Sequence, residues 1–259
     1  MNPLPQLPLA QSVSDVLANL STIIQWSCDQ KSRIGYFASL YQRITIAIKA
    51  AIDTGEFQYP ELVTILDYNF ANRYFNALNT FFHPNQGFPA LTESWHVSLS
   101  GTNKFHPIIV QQLLTALTAH IELDLGLATV QAIPSSKLSN FHNDFIKINQ
   151  VLDQQVRGTI AEIDKLSPVL KEVYEVLGQH ELTTIDDGLM ITRDNAWAFV
   201  NSLSEESSLL RPELVTKRDA EAASIGRFLL NPTIPFSWIT NLIATKEVRD
   251  VGRILDELK

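Results

Sequence analysis

The sequence has a single cysteine, Cys28, among its 259 residues. One cysteine excludes an intramolecular disulfide and a thiolate metal cluster, and its ordinary role is that of a small buried hydrophobe. Glycine and proline are also few, at 10 and 12 residues. Both lie mainly between periodic segments, a pattern typical of helices that are joined by short loops.

Positive charge is scarce as well. The chain has 20 Lys and Arg residues against 28 Asp and Glu residues, a net charge of −8 and a pI near 5.2. This balance argues against nucleic-acid binding, which needs a basic face. The N-terminal stretch MNPLPQLPLAQ lacks the basic residues of a secretory signal, and no apolar run approaches the ~20 residues of a membrane helix. We therefore expect a soluble, cytoplasmic protein without a membrane span.

Helical periodicity dominates the chain, of which 45% is hydrophobic. It predicts an all-α fold, a single-domain bundle of about ten helices over residues 12–259, with residues 1–11 as a mobile N-terminal arm. The predicted helices cover 12–27, 31–54, 60–82, 90–100, 107–132, 138–165, 167–178, 190–204, 212–230 and 245–257.

The stretch TALTAHIELDLGLATV, residues 115–130, places two polar side chains on an apolar helix face. At about 100° per residue, His120 and Asp124 lie in the middle of the apolar stripe. Glu122 points to the opposite side and is expected to be solvated. The spacing predicts an imidazole and a carboxylate that enter the core together.

Two more predicted helices each aim one carboxylate at the core. Asp144 lies within the stripe of helix 138–165, with His142 and Asn149 beside it. Asp67 and Tyr74 lie at one edge of the stripe of helix 60–82, and Arg73 lies at the other. A buried carboxylate needs a partner or a proton, because desolvation disfavours its charge.

Two interpretations of these side chains stay open. In the first, Asp67, His120, Asp124 and Asp144 hold Fe, Mn or Zn, as inward carboxylates and imidazoles do in helical bundles, with Asn149 and Tyr74 hydrogen-bonded behind them. In the second they form a structural polar network, in which His120 pairs with Asp124 and Asp67 pairs with Arg73 or Arg43. His96, beside Trp95, is a weaker candidate for a pocket.

Over residues 30–232 the chain resembles a broad all-helical family known chiefly as a domain of unknown function. The resemblance rests on FASLYQRIT, LDYNFANRYFNAL, the residue Trp95, VQQLLTALTAHIELDLGLATV, HNDFIKIN, ITRDNAWAF and IGRFLLNP. The most specific motif reads N-A-H-I-x-x-D-L-x-x-A, in which this chain has Thr118 in place of the Asn. That departure puts a supporting role for position 118 in doubt, whereas His120 and Asp124 match.

A branch of this family is identified with a non-haem diiron monooxygenase that acts on a terpenoid. The resemblance implies that His120, Asp124, Asp67 and Asp144 are metal ligands and that His142 is a fifth. It also singles out Arg193 as a partner for a buried carboxylate or an anionic substrate.

The sequence therefore favours a metal-dependent helical enzyme, an iron oxygenase that acts on a small apolar molecule. The alternatives are a non-enzymatic helical binding or interaction protein and, with zinc, a metal-dependent hydrolase. The oligomeric state stays open.

Overall fold

The computed structural model describes residues 2–102, 107–170, 172, 180–207 and 209–258, with side chains throughout except in 180–192. These residues contain eleven α-helices and no β-strand. The helices are α1 (Val13–Gln30), α2 (Ile34–Asp53), α3 (Pro60–Phe82), α4 (Glu93–Gly101), α5 (Ile109–Thr118), α6 (Leu125–Ala132), α7 (Leu138–Leu166), α8 (His180–Glu205), α9 (Arg211–Leu230), α10 (Phe236–Ala244) and α11 (Val251–Leu258). A π-helical segment, Ala119–Asp124, joins α5 to α6, and a 3-10 turn, Ser135–Lys137, precedes α7.

The predicted all-α bundle is confirmed. Helix α3 has the predicted bounds, since Pro60 suits a first helical turn, where no N–H is needed. The helix predicted over 245–257 begins later than predicted, as α11 at Val251, and the preceding helix α10 was not predicted. Helix α11 begins after Asp250, whose carboxylate accepts the backbone N–H of Arg253 at 2.7 Å. The helix predicted over 167–178 lies largely outside the described residues.

The N-terminal arm, which the sequence predicts to be mobile, is packed against the bundle in this structure. Its apolar side chains Leu4, Leu7 and Ala10 are all buried. The amide of Asn79 on α3 bonds both the N–H and the C=O of Leu7, each at 2.9 Å. Asn72, two turns earlier, makes the same pair of bonds with Ala10. The side-chain amides of Asn72 and Asn79 thus form paired hydrogen bonds with the backbone of the arm, as a neighbouring β-strand would.

The centre of the bundle is the continuous rod formed by α5, the π segment and α6. Helix α3 packs on one side of it, and α8 and α9 pack on another. Among the described residues this rod, Ile109–Ala132, is the one stretch long and apolar enough to cross a membrane, but 78% of its most apolar window is buried. Such burial is typical of a core helix.

Candidate functional site

The π-helical segment Ala119–Asp124 contains both polar residues that the sequence places in the core. All six of its side chains are buried. A π-helix accommodates one more residue than an α-helical turn does, is rare, and occurs frequently at functional sites. The local backbone therefore marks the same residues, His120 and Asp124, that the sequence pattern marks.

Three donors surround the Asp124 carboxylate. Arg73 Nε donates to Oδ1 at 2.6 Å, and Trp95 Nε1 donates to Oδ2 at 2.7 Å. His120 Nδ1 lies 3.1 Å from the same Oδ2. The donors come from α3, α4 and the π segment, so this one carboxylate ties three elements together.

These contacts determine the charge states of the pair. Burial by itself raises the pKa of Asp124, but Arg73, His120 and Trp95 more than offset it, so the pKa lies below its usual value. Burial lowers the pKa of His120, although the hydrogen bond to Asp124 opposes this shift. We infer a neutral imidazole that carries its proton on Nδ1, toward the ionised carboxylate. Its Nε2 is then an unprotonated hydrogen-bond acceptor.

Five aromatic rings, which we call the aromatic box, enclose the imidazole of His120. Phe70 lies flat against it, with ring centroids 3.6 Å apart and planes 8° apart. The other rings have centroids 4.9–6.2 Å from the imidazole. They belong to Phe37, Tyr41, Tyr74 and Trp95.

Several polar atoms at the aromatic box have no hydrogen-bond partner among the described residues. They are His120 Nε2 and the hydroxyl oxygens of Tyr41 and Tyr74. Buried polar atoms are nearly always satisfied, so a group of such atoms in one place indicates a site that binds something polar.

A narrow cavity of about 30 Å³ borders the box on the side of Phe70 and Tyr41. Its walls are otherwise aliphatic, apart from Asp67, and it has room for about two water molecules. Asp67 Oδ2 has no partner among the described residues, and burial raises the pKa of this carboxyl to about 7. Asp67 therefore does not pair with Arg73 or Arg43, because Arg73 binds Asp124 and Arg43 binds Glu162.

A second cavity, of about 60 Å³, borders the network at Asp124. Arg73, Asp124 and Trp95 line its inner end, and residues 89–92 form its outer wall. The Arg73 side chain is 29% exposed, so the network has one member in partial contact with solvent.

Of the five predicted metal ligands, only His120 and Asp124 are in direct contact among the described residues. Asp144 caps the start of α3, where its two carboxylate oxygens accept the N–H groups of Gln58 and Tyr59 at 2.8 and 2.7 Å. The ring of His142 packs against Trp197, with centroids 4.5 Å apart. Across the described residues, no group of three or more His, Cys, Asp or Glu side chains is placed to hold a metal ion. These residues do not fit a metal centre built from three helices.

The remaining predicted residues have varied surroundings. Tyr74 and Trp95 belong to the aromatic box, and the Oδ1 atom of half-buried Asn149 has no partner among the described residues. His96 is exposed and lines neither of the two cavities described above. Arg193 is buried and pairs with Asp153 at 2.6 Å, so its carboxylate partner lies outside the His120 network.

Two features of the site were missed. Glu122 is buried and pairs with Arg218 of α9, whereas the sequence predicts a solvated side chain. The prediction assumed a rotation of about 100° per residue. It fails at Glu122 because the π segment changes the rotation and because α9 covers that side of the rod. The second missed feature is the aromatic box, whose signal is the i, i+4 spacing of Phe37 with Tyr41 and of Phe70 with Tyr74.

The fold and site define a class, an all-helical bundle with a buried His–Asp pair in a π segment. The chain belongs to a family of unknown function, DUF5995, whose model matches residues 13–232. No curated protein and no solved structure matches the chain.

Proposed function

We propose that this protein binds a small, largely apolar molecule in the aromatic box and that His120 acts on it as a general base. The observation that carries the proposal is the buried His120 Nε2 atom, which has no hydrogen-bond partner among the described residues. The Nδ1 contact with Asp124 directs the lone pair of Nε2 away from that carboxylate and into the aromatic box.

The surroundings of Nε2 determine which functional groups a ligand needs in order to bind there. A ligand with an O–H or N–H group would donate to Nε2, and its apolar part would pack on the aromatic rings. If the proton moves to Nε2, the ionised Asp124 stabilises the imidazolium that forms, as a buried carboxylate does behind a catalytic histidine. The Tyr41 and Tyr74 hydroxyls could form hydrogen bonds with a second polar atom of the ligand.

Phe70 controls access in this proposal. Its ring covers one face of the imidazole and also lines the cavity that contains Asp67. Rotation of this side chain would join the cavity to His120 and enlarge the space beside Nε2. The ligand would then lie between an acceptor, Nε2, and the Asp67 carboxyl.

An iron oxygenase, as the family resemblance implies, or a hydrolase in which the same side chains hold zinc is the less favoured proposal. Asp144 is occupied by two backbone N–H groups, and Asp124 by Arg73, Trp95 and His120. A metal would have to displace these donors before it gained ligands. Elemental analysis of the purified protein for Fe, Mn and Zn tests this alternative directly.

A purely structural network is the second candidate, and one observation favours it. All three donors to Asp124 are in place, so the carboxylate is satisfied without any ligand. In this account the network serves only to hold α3, α4 and the π segment together. The protein would then bind its partners elsewhere.

Calorimetric titration with phenol and toluene separates the two candidates. The probes have nearly the same shape, but only phenol can donate a hydrogen bond. The site should bind phenol more tightly, by about tenfold, since one hydrogen bond to a buried acceptor is worth about 1–1.5 kcal/mol.

His120→Asn is the matched variant. Its side-chain amide keeps a donor near the position of Nδ1, toward Asp124, and lacks Nε2. We expect this variant to fold and to lose the preference for phenol. Equal binding of the two probes by the wild-type protein, or no binding of either, would refute the proposed function.

A further inference from the structure

The surface around α10 exposes five large apolar side chains within a short stretch of chain. We call them the apolar patch, and they are between 49% and 66% exposed. They are Phe228, Ile234, Phe236, Trp238 and Leu242. Singly exposed hydrophobics are ordinary, but a group of this size marks an interaction surface.

The same stretch is free of charge. Residues 228–245 contain no Asp, Glu, Lys or Arg, whereas the whole chain carries a net charge of −8. The nearest basic residue before it, Arg227, pairs with Glu93. An uncharged patch on an acidic protein is the place where two like-charged molecules can meet with the least repulsion.

Helix α10 directs one side to the bundle and leaves another uncovered. Ile243 is buried, and Ile239 packs against the core. Trp238 and Leu242 are four residues apart, so they share a face of this helix, and both are more than half exposed. Trp238 and Leu242 therefore form an outer face on α10, whose opposite side packs on the core.

The exposed area matches that of a small dimer interface. From the exposed fractions and the usual size of such side chains, the patch presents on the order of 500 Å². If the exposed area of all five side chains is covered, two copies bury about 1,000 Å², which is the lower limit for a biological interface. Trp238 supplies an aromatic anchor of the kind that dominates such interfaces.

A bilayer surface fits the patch less well. Helices that lie on membranes usually carry Lys and Arg on their polar face, which attract anionic lipids. Within 228–245 there are none. The acidic chain as a whole would also be repelled by an anionic leaflet.

We propose that the apolar patch binds the same patch on a second copy of this chain, which makes the protein a symmetric dimer. In a twofold interface each residue of the patch meets the patch of the partner, so the surface has to be complementary to itself. Apolar, uncharged side chains meet this requirement without any need to match charges.

Sedimentation velocity of the full chain over a range of micromolar concentrations tests the proposal. The wild-type protein should sediment as a dimer. Trp238→Glu should raise the dimer dissociation constant by roughly a hundredfold or more, because it places a carboxylate in each half of an apolar interface. Leu209→Glu is the control, since Leu209 is 84% exposed but lies beyond the opposite end of α9.

Two results would overturn the proposal. One is a monomeric wild-type protein throughout the range, including one that cosediments with uncharged phosphatidylcholine vesicles, which would assign the patch to a lipid surface. The other is a dimer that Trp238→Glu and Leu209→Glu leave equally intact. Far-ultraviolet circular dichroism of each variant verifies that it is folded.

Discussion

The ring of Phe70 lies flat on the imidazole of His120, with centroids 3.6 Å apart. This contact covers the one face of the histidine that borders the Asp67 cavity. It also helps to keep water from the imidazole, and burial lowers the pKa of His120. The same side chain thus protects the base and separates it from the space that a ligand would use.

Replacement of Phe70 by Ala should open that space. We expect the free energy of unfolding to fall by about 3–5 kcal/mol, as for other Phe to Ala changes in a core. Phenol should then bind better than toluene and restore part of the lost stability, because Nε2 is exposed to the new cavity. Thermal melts with each probe measure both effects.

Phe141→Ala provides the comparison for this variant. Phe141 is equally well buried but lies on α7, and it is not one of the rings around His120. Its loss should destabilise the protein similarly without any preference between the two probes. The same preference in both variants would argue against a special role for His120.

Asp124→Asn tests the charge in the network. Arg73 would lose its ion-pair partner, and the buried donors of Trp95 and His120 would face a neutral amide. We expect a loss of about 2–4 kcal/mol, somewhat less than for a fully buried pair, because Arg73 is partly exposed. Urea unfolding measures the change.

The surface variant Asp53→Asn is the control for Asp124→Asn. It breaks the Lys49–Asp53 pair, whose carboxylate side chain is 58% exposed. Its effect should stay below about 0.5 kcal/mol. A similar small effect of Asp124→Asn would mean that the network contributes little to folding.

The stability of the protein should depend on pH through Asp67. Burial raises the pKa of this carboxyl from 3.8 to about 7. Between these values the folded protein retains a proton that the unfolded chain has released. The free energy of unfolding therefore decreases as the pH rises from about 4 to about 7, and it levels off above that.

Asp67→Asn should remove this contribution. At pH 8 the variant should exceed the wild-type protein in stability by a few kcal/mol, since each pKa unit corresponds to 1.36 kcal/mol. The titrations of His120 and Asp124 are common to both proteins, so the difference between their unfolding curves isolates Asp67. A constant difference from pH 5 to pH 8 would contradict the assigned pKa.

The docked N-terminal arm makes a further prediction. Asn79→Ala removes both hydrogen bonds to the backbone of Leu7 and should cost about 1–3 kcal/mol. The Leu7 amide should then exchange its proton with solvent at least about tenfold faster. Gln6→Ala, at an exposed arm position, should leave that exchange rate unchanged.

The sequence predicts the features that depend on local periodicity. Apolar spacing predicts the all-α class, and Pro60 marks the start of α3. The same spacing directs His120, Asp124, Asp67 and Asp144 inward, and all four are buried. Burial of these side chains is a property of single helices, so one sequence is enough to find it.

Contacts between distant segments could not be predicted in the same way. Asp144 binds the N–H groups at the start of a helix more than 80 positions earlier, and no local pattern encodes such a contact. The burial of Glu122 was not predicted because a π segment changes the rotation per residue. The packing of the N-terminal arm could not be predicted because its partners, Asn72 and Asn79, lie far along the chain.

The most direct test of the account is the ¹⁵N NMR spectrum of the histidine side chains, with His120 assigned by the loss of its signals in His120→Asn. We predict that at neutral pH His120 is uncharged, with a protonated Nδ1 and an unprotonated Nε2, and that phenol shifts the Nε2 signal. A proton on Nε2 at neutral pH, in either the other neutral form or the imidazolium, would contradict it.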